Sequence, residues 1–264
     1  MTTSTIFTNR RSSLYIFLSA VFLTNALIAE IIGVKIFSTE TLLGIRPAQL
    51  HLFGDFVLDF NLTAGAVIWP FVFITSDIIN EYYGVQGVKR ISYVTAGFIA
   101  YSFVIIYIGT ALPPAQFWLD VNAKDASGQA ININNAFGMI FRQGLGIIIG
   151  SITAFLVAQL LDATIFASLK KLTGNRKIWL RATGSTLVSQ LIDSFVVLTI
   201  AFYIFGNWSF AQVIAVAIVN YIYKFTTAIL LTPLLYVAHY LIDRYLGPER
   251  ARELANEASM PVTM

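Results

Sequence analysis

The run from Ile91 to Leu112 carries no charged residue. Several stretches of the chain are nearly as apolar, and a lipid bilayer is the medium that accommodates them. A helix needs about 20 apolar residues to cross the ~30 Å hydrocarbon core. Six segments reach that length: residues 14–37, 62–83, 91–112, 141–169, 179–205 and 211–242. The last is long enough to tilt or to run past the membrane surface. Charged residues make up 12% of the 264-residue chain, about half the usual share of a soluble domain. The mean hydropathy of +0.73 agrees. The fold class read from the sequence is therefore all-α: a polytopic integral membrane protein with six transmembrane helices.

Basic residues orient it, because loops rich in Lys and Arg stay in the cytoplasm. With the N-terminus inside, Arg10, Arg11, Lys89, Arg90, Lys170, Lys171, Arg176, Lys177, Arg181, Arg244, Arg250 and Arg252 fall on the cytoplasmic side, 12 of the 17 Lys and Arg residues. Arg46 and Lys124 fall outside, and Lys35, Arg142 and Lys224 lie in or at the ends of helices. Both termini are thus predicted to be cytoplasmic. Arg10 and Arg11 before an apolar run resemble the start of a secretory signal. The run is too long for one and carries Glu30 and Lys35, so a retained first helix is expected.

Residues 1–246 read as one six-helix transmembrane domain and 247–264 as a polar tail expected to fray. Two external segments exceed what a turn requires. Residues 38–61 contain DFVLDFNL, whose partial alternation fits a short hairpin or interfacial flap. Residues 113–135 carry Pro-Pro, Trp118 and an Asn-rich stretch, and serve either as a cap over a cavity or as a plain connector.

Within the bilayer the informative residues are the ones that are expensive to place there. A charge at mid-helix costs about 2.5–3.5 kcal/mol on the lenient scale. Glu30, Asp77, Glu81, Asp162, Asp193 and Lys224 meet that description, with Asn25, Gln159, Gln190 and Asn220 as neutral companions. In TSDIINEYYG, residues Asp77, Asn80, Glu81 and Gly84 share one helical face. That face is either a substrate or proton site, or an anchor held by cytoplasmic cations; depth favours the first for Asp77 and the interface favours the second for Glu81. Gln190 and Asp193 share a face deep in the fifth helix, where Gln190 could also be interhelical glue. Lys224, four residues after Asn220, either pairs structurally with Asp193 or Asp162 or neutralises an acid that substrate later engages. Trp69 offers a stacking platform beside Pro70, which is expected to loosen the second helix. The residues assigned to substrate binding are Trp69, Asp77, Asn80, Glu81, Gln190, Asp193, Asn220 and Lys224.

Other chemistries lack their residues. The chain has no cysteine, hence no disulfide, thiolate metal site or cysteine nucleophile. It has no Walker motif and no H-E-x-x-H, and His51 and His239 fall near opposite membrane faces. No catalytic residue, metal site or cofactor is assigned.

GAVIWPFVFITSDIINEYYG (Gly65 to Gly84), the basic turn at Lys89 and Arg90, FLVAQLLDATIFASLKK, RKIWLRATGSTLVSQLIDSFVVLTIAF and NYIYKFTTAILLTPLLY together resemble the queuosine precursor transporters, the VUT family. The resemblance covers roughly residues 62–240. It implies six helices, no ATPase of the chain's own, and uptake across a bacterial inner membrane of a 7-deazaguanine (the 7-cyano or 7-aminomethyl form, or queuine) for tRNA modification. It places the motif acids on Asp77 and Asp193 and their polar companions on Glu81, Gln190 and Lys224. The expected partners are the bilayer and a small nucleobase-like substrate, with no nucleic acid bound directly; a homo-oligomer stays open. The alternative is a substrate-binding subunit that borrows a partner ATPase, as vitamin-uptake components do. A membrane enzyme is the third reading, and it lacks a catalytic constellation.

Overall fold

Each apolar run becomes helix because a membrane offers backbone N–H and C=O groups no other partners. The computed structural model describes residues 9–53, 56–173 and 177–258; Asp55 and Arg176, both used above, lie outside them. Its longer helices are α1 (Arg10–Ile32), α3 (Trp69–Ala111), α6 (Leu145–Thr173), α7 (Ile178–Leu198), α8 (Phe210–Leu230), α9 (Thr232–Leu246) and α10 (Pro248–Glu257). Among the described residues five stretches are long and apolar enough to cross a membrane: Arg10–Ile32, Trp69–Ala111, Ile133–Thr173, Ile178–Ile204 and Phe210–Leu230. The chain is a multi-pass α-helical membrane protein.

Two predicted spans, 62–83 and 91–112, merge into α3. Its helix is interrupted at Gly84, where φ 70° and ψ −177° place the backbone in a region that side chains do not tolerate. The arms on either side, 69–83 and 85–111, both run along α1. Tyr83 donates to the Arg11 carbonyl (2.7 Å) and Tyr15 to that of Gly87 (2.9 Å) at one end. At the other end Gly65 packs on the Ala29 backbone, and Gln143, which donates to the Glu30 carbonyl, follows the Arg142 that bonds Thr110. The chain therefore reverses at one residue. Lys89 and Arg90, expected in a turn, are helical instead.

The first arm also starts later than predicted. Residues 61–63 form a strand and Ala64–Val67 a tight 3-10 turn. Pro70 thus sits in the first turn of α3, where its missing N–H breaks no bond, rather than loosening a helix interior. The sixth predicted span is broken as well: α8 ends at Leu230 and α9 begins at Thr232 with Pro233 in its first turn. Proline lacks the donor needed to continue the ladder from α8.

The segment 38–61 holds the hairpin read from its alternation. Strands β2 (Leu50–Phe53) and β3 (Phe56–Leu58) pair antiparallel, and β1 (Ile36–Ser38) pairs with β4 (Asn61–Thr63). Between β1 and β2 lies α2 (Thr39–Leu43), which buries Glu40. Burial alone would push the Glu40 carboxyl up. Donors from the Phe60 N–H (2.6 Å), the Ser38 hydroxyl (3.0 Å) and the Ala48 N–H (3.4 Å) outweigh it and hold the carboxyl below the usual glutamate range. The flap rests on α8 through Leu58, Ala215 and Val219.

The tail corrects its expectation over residues 247–258, with 259–264 outside the described residues. Residues 248–257 do not fray but form α10, amphipathic enough to bury Ala251, Leu254 and Ala255 against the rest of the chain. A composition that is polar on average hid a narrow apolar stripe at helical spacing. Ala258 then closes on Gly84: a Cβ there would meet the Ala258 carbonyl oxygen at 3.0 Å.

Candidate functional site

The first arm of α3 turns its polar face toward α6. Ser76 donates to Gln159 Oε1 (2.8 Å) and Asn80 Nδ2 to the Ala163 carbonyl (2.9 Å), each of them one helical turn from its neighbour on that face. One step further, Glu81 meets Arg181 of α7 (2.7 Å) and Lys170 of α6 (3.2 Å), and Lys170 also donates to the Glu81 carbonyl (2.7 Å). All three side chains are at most 6% exposed. The acid is thus held by Arg181 and Lys170, the anchoring alternative left open for it above. Asp162 on α6 accepts from the Ser189 hydroxyl of α7 (3.1 Å). In this buried layer three carboxyls (Asp77, Glu81, Asp162) face two cations (Lys170, Arg181). A proton or neutral N–H donors must compensate the excess.

Next to this layer lies a small cavity of about 60 Å³, room for a few waters and one that must widen to take a flat ring. Trp69, Phe73 and Asp77 reach it from α3, Thr186 and Gln190 from α7, and Tyr223, Lys224 and Thr227 from α8. Leu231, Thr232 and Leu235, at the α8–α9 break, complete it. Trp69 and Phe73 stack at 5.9 Å between ring centroids, with Phe155 behind Trp69 at 5.8 Å. Neither 113–135 nor 38–61 contributes a lining residue. For 113–135, with its two short helices α4 (Gln116–Val121) and α5 (Ile133–Phe141), the plain connector is the alternative that fits.

Two lining side chains stand out. Asp77 is 5% exposed and Gln190 2%. Asp77 Oδ1 and both polar atoms of the Gln190 carboxamide have no hydrogen-bond partner among the described residues. Leaving such a group unmet costs about 1–3 kcal/mol each. An acceptor, and a donor paired with an acceptor, therefore open onto an aromatic-walled slot. A planar polar molecule with N–H donors and a neighbouring carbonyl along one edge satisfies all three.

Of the eight residues read from the sequence as substrate-binding, Trp69, Asp77, Gln190 and Lys224 line the cavity. Asp193 stands at its rim in an ion pair with Lys224, and both side chains are about one-fifth exposed. Asn80 and Glu81 share a face with Asp77 but lie further along the helix, committed to α6 and α7. Asn220 is half-buried on α8 and outside the lining. The threonines Thr183, Thr186, Thr227 and Thr232 were not singled out, since a threonine in a membrane helix commonly bonds its own backbone. Arg181 and Lys170 counted as loop cations, and their roles appear only once α6 and α7 are packed. Among the described residues no group of three or more His, Cys, Asp or Glu is placed to hold a metal.

Comparison with known proteins gives the same neighbourhood. A family model described as "Putative vitamin uptake transporter" matches residues 63–238. A Bacillus subtilis protein named "Probable queuosine precursor transporter" is 28% identical over 186 residues, 69% of this chain and 75% of that protein. One of the same name from Haemophilus influenzae is 26% identical, covering 71% of each chain. The "Queuosine precursor transporter" of Escherichia coli is 25% identical over 64% of this chain and 68% of its own. No solved structure matches.

Proposed function

The chain belongs to the vitamin uptake transporter family, a family of transporters and not of enzymes, and from that premise we propose that it imports a queuosine precursor of the 7-deazaguanine class across a bacterial inner membrane. The named relatives support the cargo. The observation that carries it at the site is the pair of orphaned side chains, Asp77 and Gln190, beside Trp69 and Phe73. A deazaguanine presents a ring N–H and an exocyclic amine side by side, and a carboxylate accepts both in charge-assisted hydrogen bonds. The Gln190 carboxamide supplies the donor for the ring carbonyl. The aromatic walls take the ring faces.

In this proposal the chain passes the membrane six times, as α1, the two arms of α3, α6, α7 and α8 with α9, with both termini cytoplasmic. The Asp193–Lys224 pair forms the outward rim. Glu81, Lys170, Arg181 and Asn80 pin the inner half of the first arm. The helix break at Pro233 and the joint at Gly84 are the points where the bundle can open first to one side and then to the other.

The test is binding and transport by the purified chain. Trp69 fluorescence is expected to respond to 7-cyano-7-deazaguanine, and proteoliposomes holding this chain alone are expected to accumulate the labelled base. Accumulation that needs an added ATPase subunit returns the borrowed-ATPase alternative. Equal binding of adenine, which lacks the adjacent donors, overturns the cargo class.

A further inference from the structure

A second cavity, about 760 Å³ and open to the surroundings, lies where the first turns of α1 meet the start of the second arm of α3. Arg11, Lys89 and Arg90 border it, with Gln86 between them, and no lining residue is acidic. Arg11 has an ionic partner, Glu257 of α10 at 2.9 Å. Lys89 and Arg90 pair with no carboxylate among the described residues. The floor is preformed. Tyr15 and Tyr83 pack ring to ring at 4.8 Å, and their hydroxyls are committed to the Gly87 and Arg11 carbonyls.

The side wall decides what such a groove fits. Ile16, Tyr93 and Val94 line it, each 44–56% exposed, and the exposed apolar face runs on along α3 through Phe98 and Tyr101. On a helix that spans a bilayer that face meets acyl chains. Cations and lipid-facing surface thus adjoin within one groove, at the depth where a phospholipid changes from headgroup to chain. A free anion would use only the cations.

We infer that this groove is a binding site for an acidic phospholipid, with its phosphate between Arg11, Lys89 and Arg90 and its acyl chains along Ile16, Tyr93 and Val94. A net negative headgroup is required, because a zwitterionic lipid brings its own ammonium to cations that already lack counter-charge. The inference rests on the membrane-spanning fold and holds whatever the cargo is. It also places a lipid beside Gly84 and α10, where the two arms of α3 join.

Native mass spectrometry of the whole chain released from detergent tests it. With equimolar phosphatidylglycerol and phosphatidylcholine present, one phosphatidylglycerol is expected to stay bound per chain. The double variant Lys89→Gln, Arg90→Gln should lower its occupancy roughly 10- to 30-fold, while the charge-preserving Lys89→Arg, Arg90→Lys retains it and so guards against a folding defect. Inorganic phosphate at matching concentration should not displace the lipid. Equal retention of both lipids, unchanged retention in the glutamine variant, or displacement by free phosphate each overturns the site.

Discussion

Among the buried acids of this bundle, position along one helical turn separates two tasks. Asp77 and Glu81 are four residues apart on one face, yet Glu81 is held by two cations and Asp77 opens on a cavity with an orphaned oxygen. Their neutral variants should therefore fail differently. Asp77→Asn leaves the fold in place, because no ion pair is broken, and is expected to weaken binding of the deazaguanine roughly 10- to 100-fold by titration of Trp69 fluorescence. Glu81→Gln removes the carboxylate that Lys170 and Arg181 share in a buried layer and is expected to cost about 3–5 kcal/mol, read as a lowered midpoint of thermal unfolding in detergent. If Asp77→Asn destabilises as much as Glu81→Gln, Asp77 is a structural group too. The distinction was partly legible in the sequence, where depth separated the two acids. It was completed only by Arg181 and Lys170, whose side chains turn inward from helix ends that look like loop anchors.

At the scale of elements, hydropathy found the helices and missed their joints. A run of apolar residues reads the same whether it is one helix, a strand followed by a helix, or two helices meeting at a proline, so residues 62–68 and the break before Pro233 were hidden in it. Gly84 was visible as the end of a motif but not as the whole turn. Its backbone conformation is close to glycine-only and costs about 1–3 kcal/mol for any other residue, and a Cβ would crowd the Ala258 carbonyl oxygen at 3.0 Å. Gly84→Ala is expected to lower the unfolding midpoint and to release α10, seen as faster hydrogen exchange across 248–257. Slow exchange there with a lowered midpoint would locate the strain in α3 alone. The flap carries a pH prediction. Glu40 is held below its ordinary value of 4.5 in the folded state, so it binds its proton more readily unfolded. It therefore stabilises the flap above that value, and the contribution is lost as pH falls through the lower, folded value. Protection of the amides in the described part of 38–61, corrected for the intrinsic pH dependence of exchange, should fall as pH drops below about 4.5 and stay level between 6 and 8, and Glu40→Gln should abolish the difference.

For the molecule as a whole, the arrangement to be tested is its direction in the membrane, on which import depends. The contacts fix relative sides: Arg11, Tyr83, Lys170, Arg181, Asp243 and Tyr245 gather at one end, linked by Tyr83 to the Arg11 carbonyl, Glu81 to Lys170 and Arg181, Tyr82 to Asp243 (2.6 Å) and Arg10 to the Tyr245 carbonyl (3.0 Å). Glu30, Ser151, Gln143 and Thr110 gather at the other. Which end faces the cytoplasm is decided in the proposal by the excess of Lys and Arg at the first end. The chain's lack of cysteine makes it its own labelling background, so a single introduced thiol reports one position. Ser127 lies in an exposed turn of the connector between α4 and α5, and Glu253 on the exposed side of α10. In intact cells stripped of the outer membrane, a membrane-impermeant maleimide is expected to label Ser127→Cys and to reach Glu253→Cys only after permeabilisation. The reverse pattern would invert the bundle, put the Asp193–Lys224 rim on the cytoplasmic side, and turn the proposed importer into a protein that meets its cargo from within.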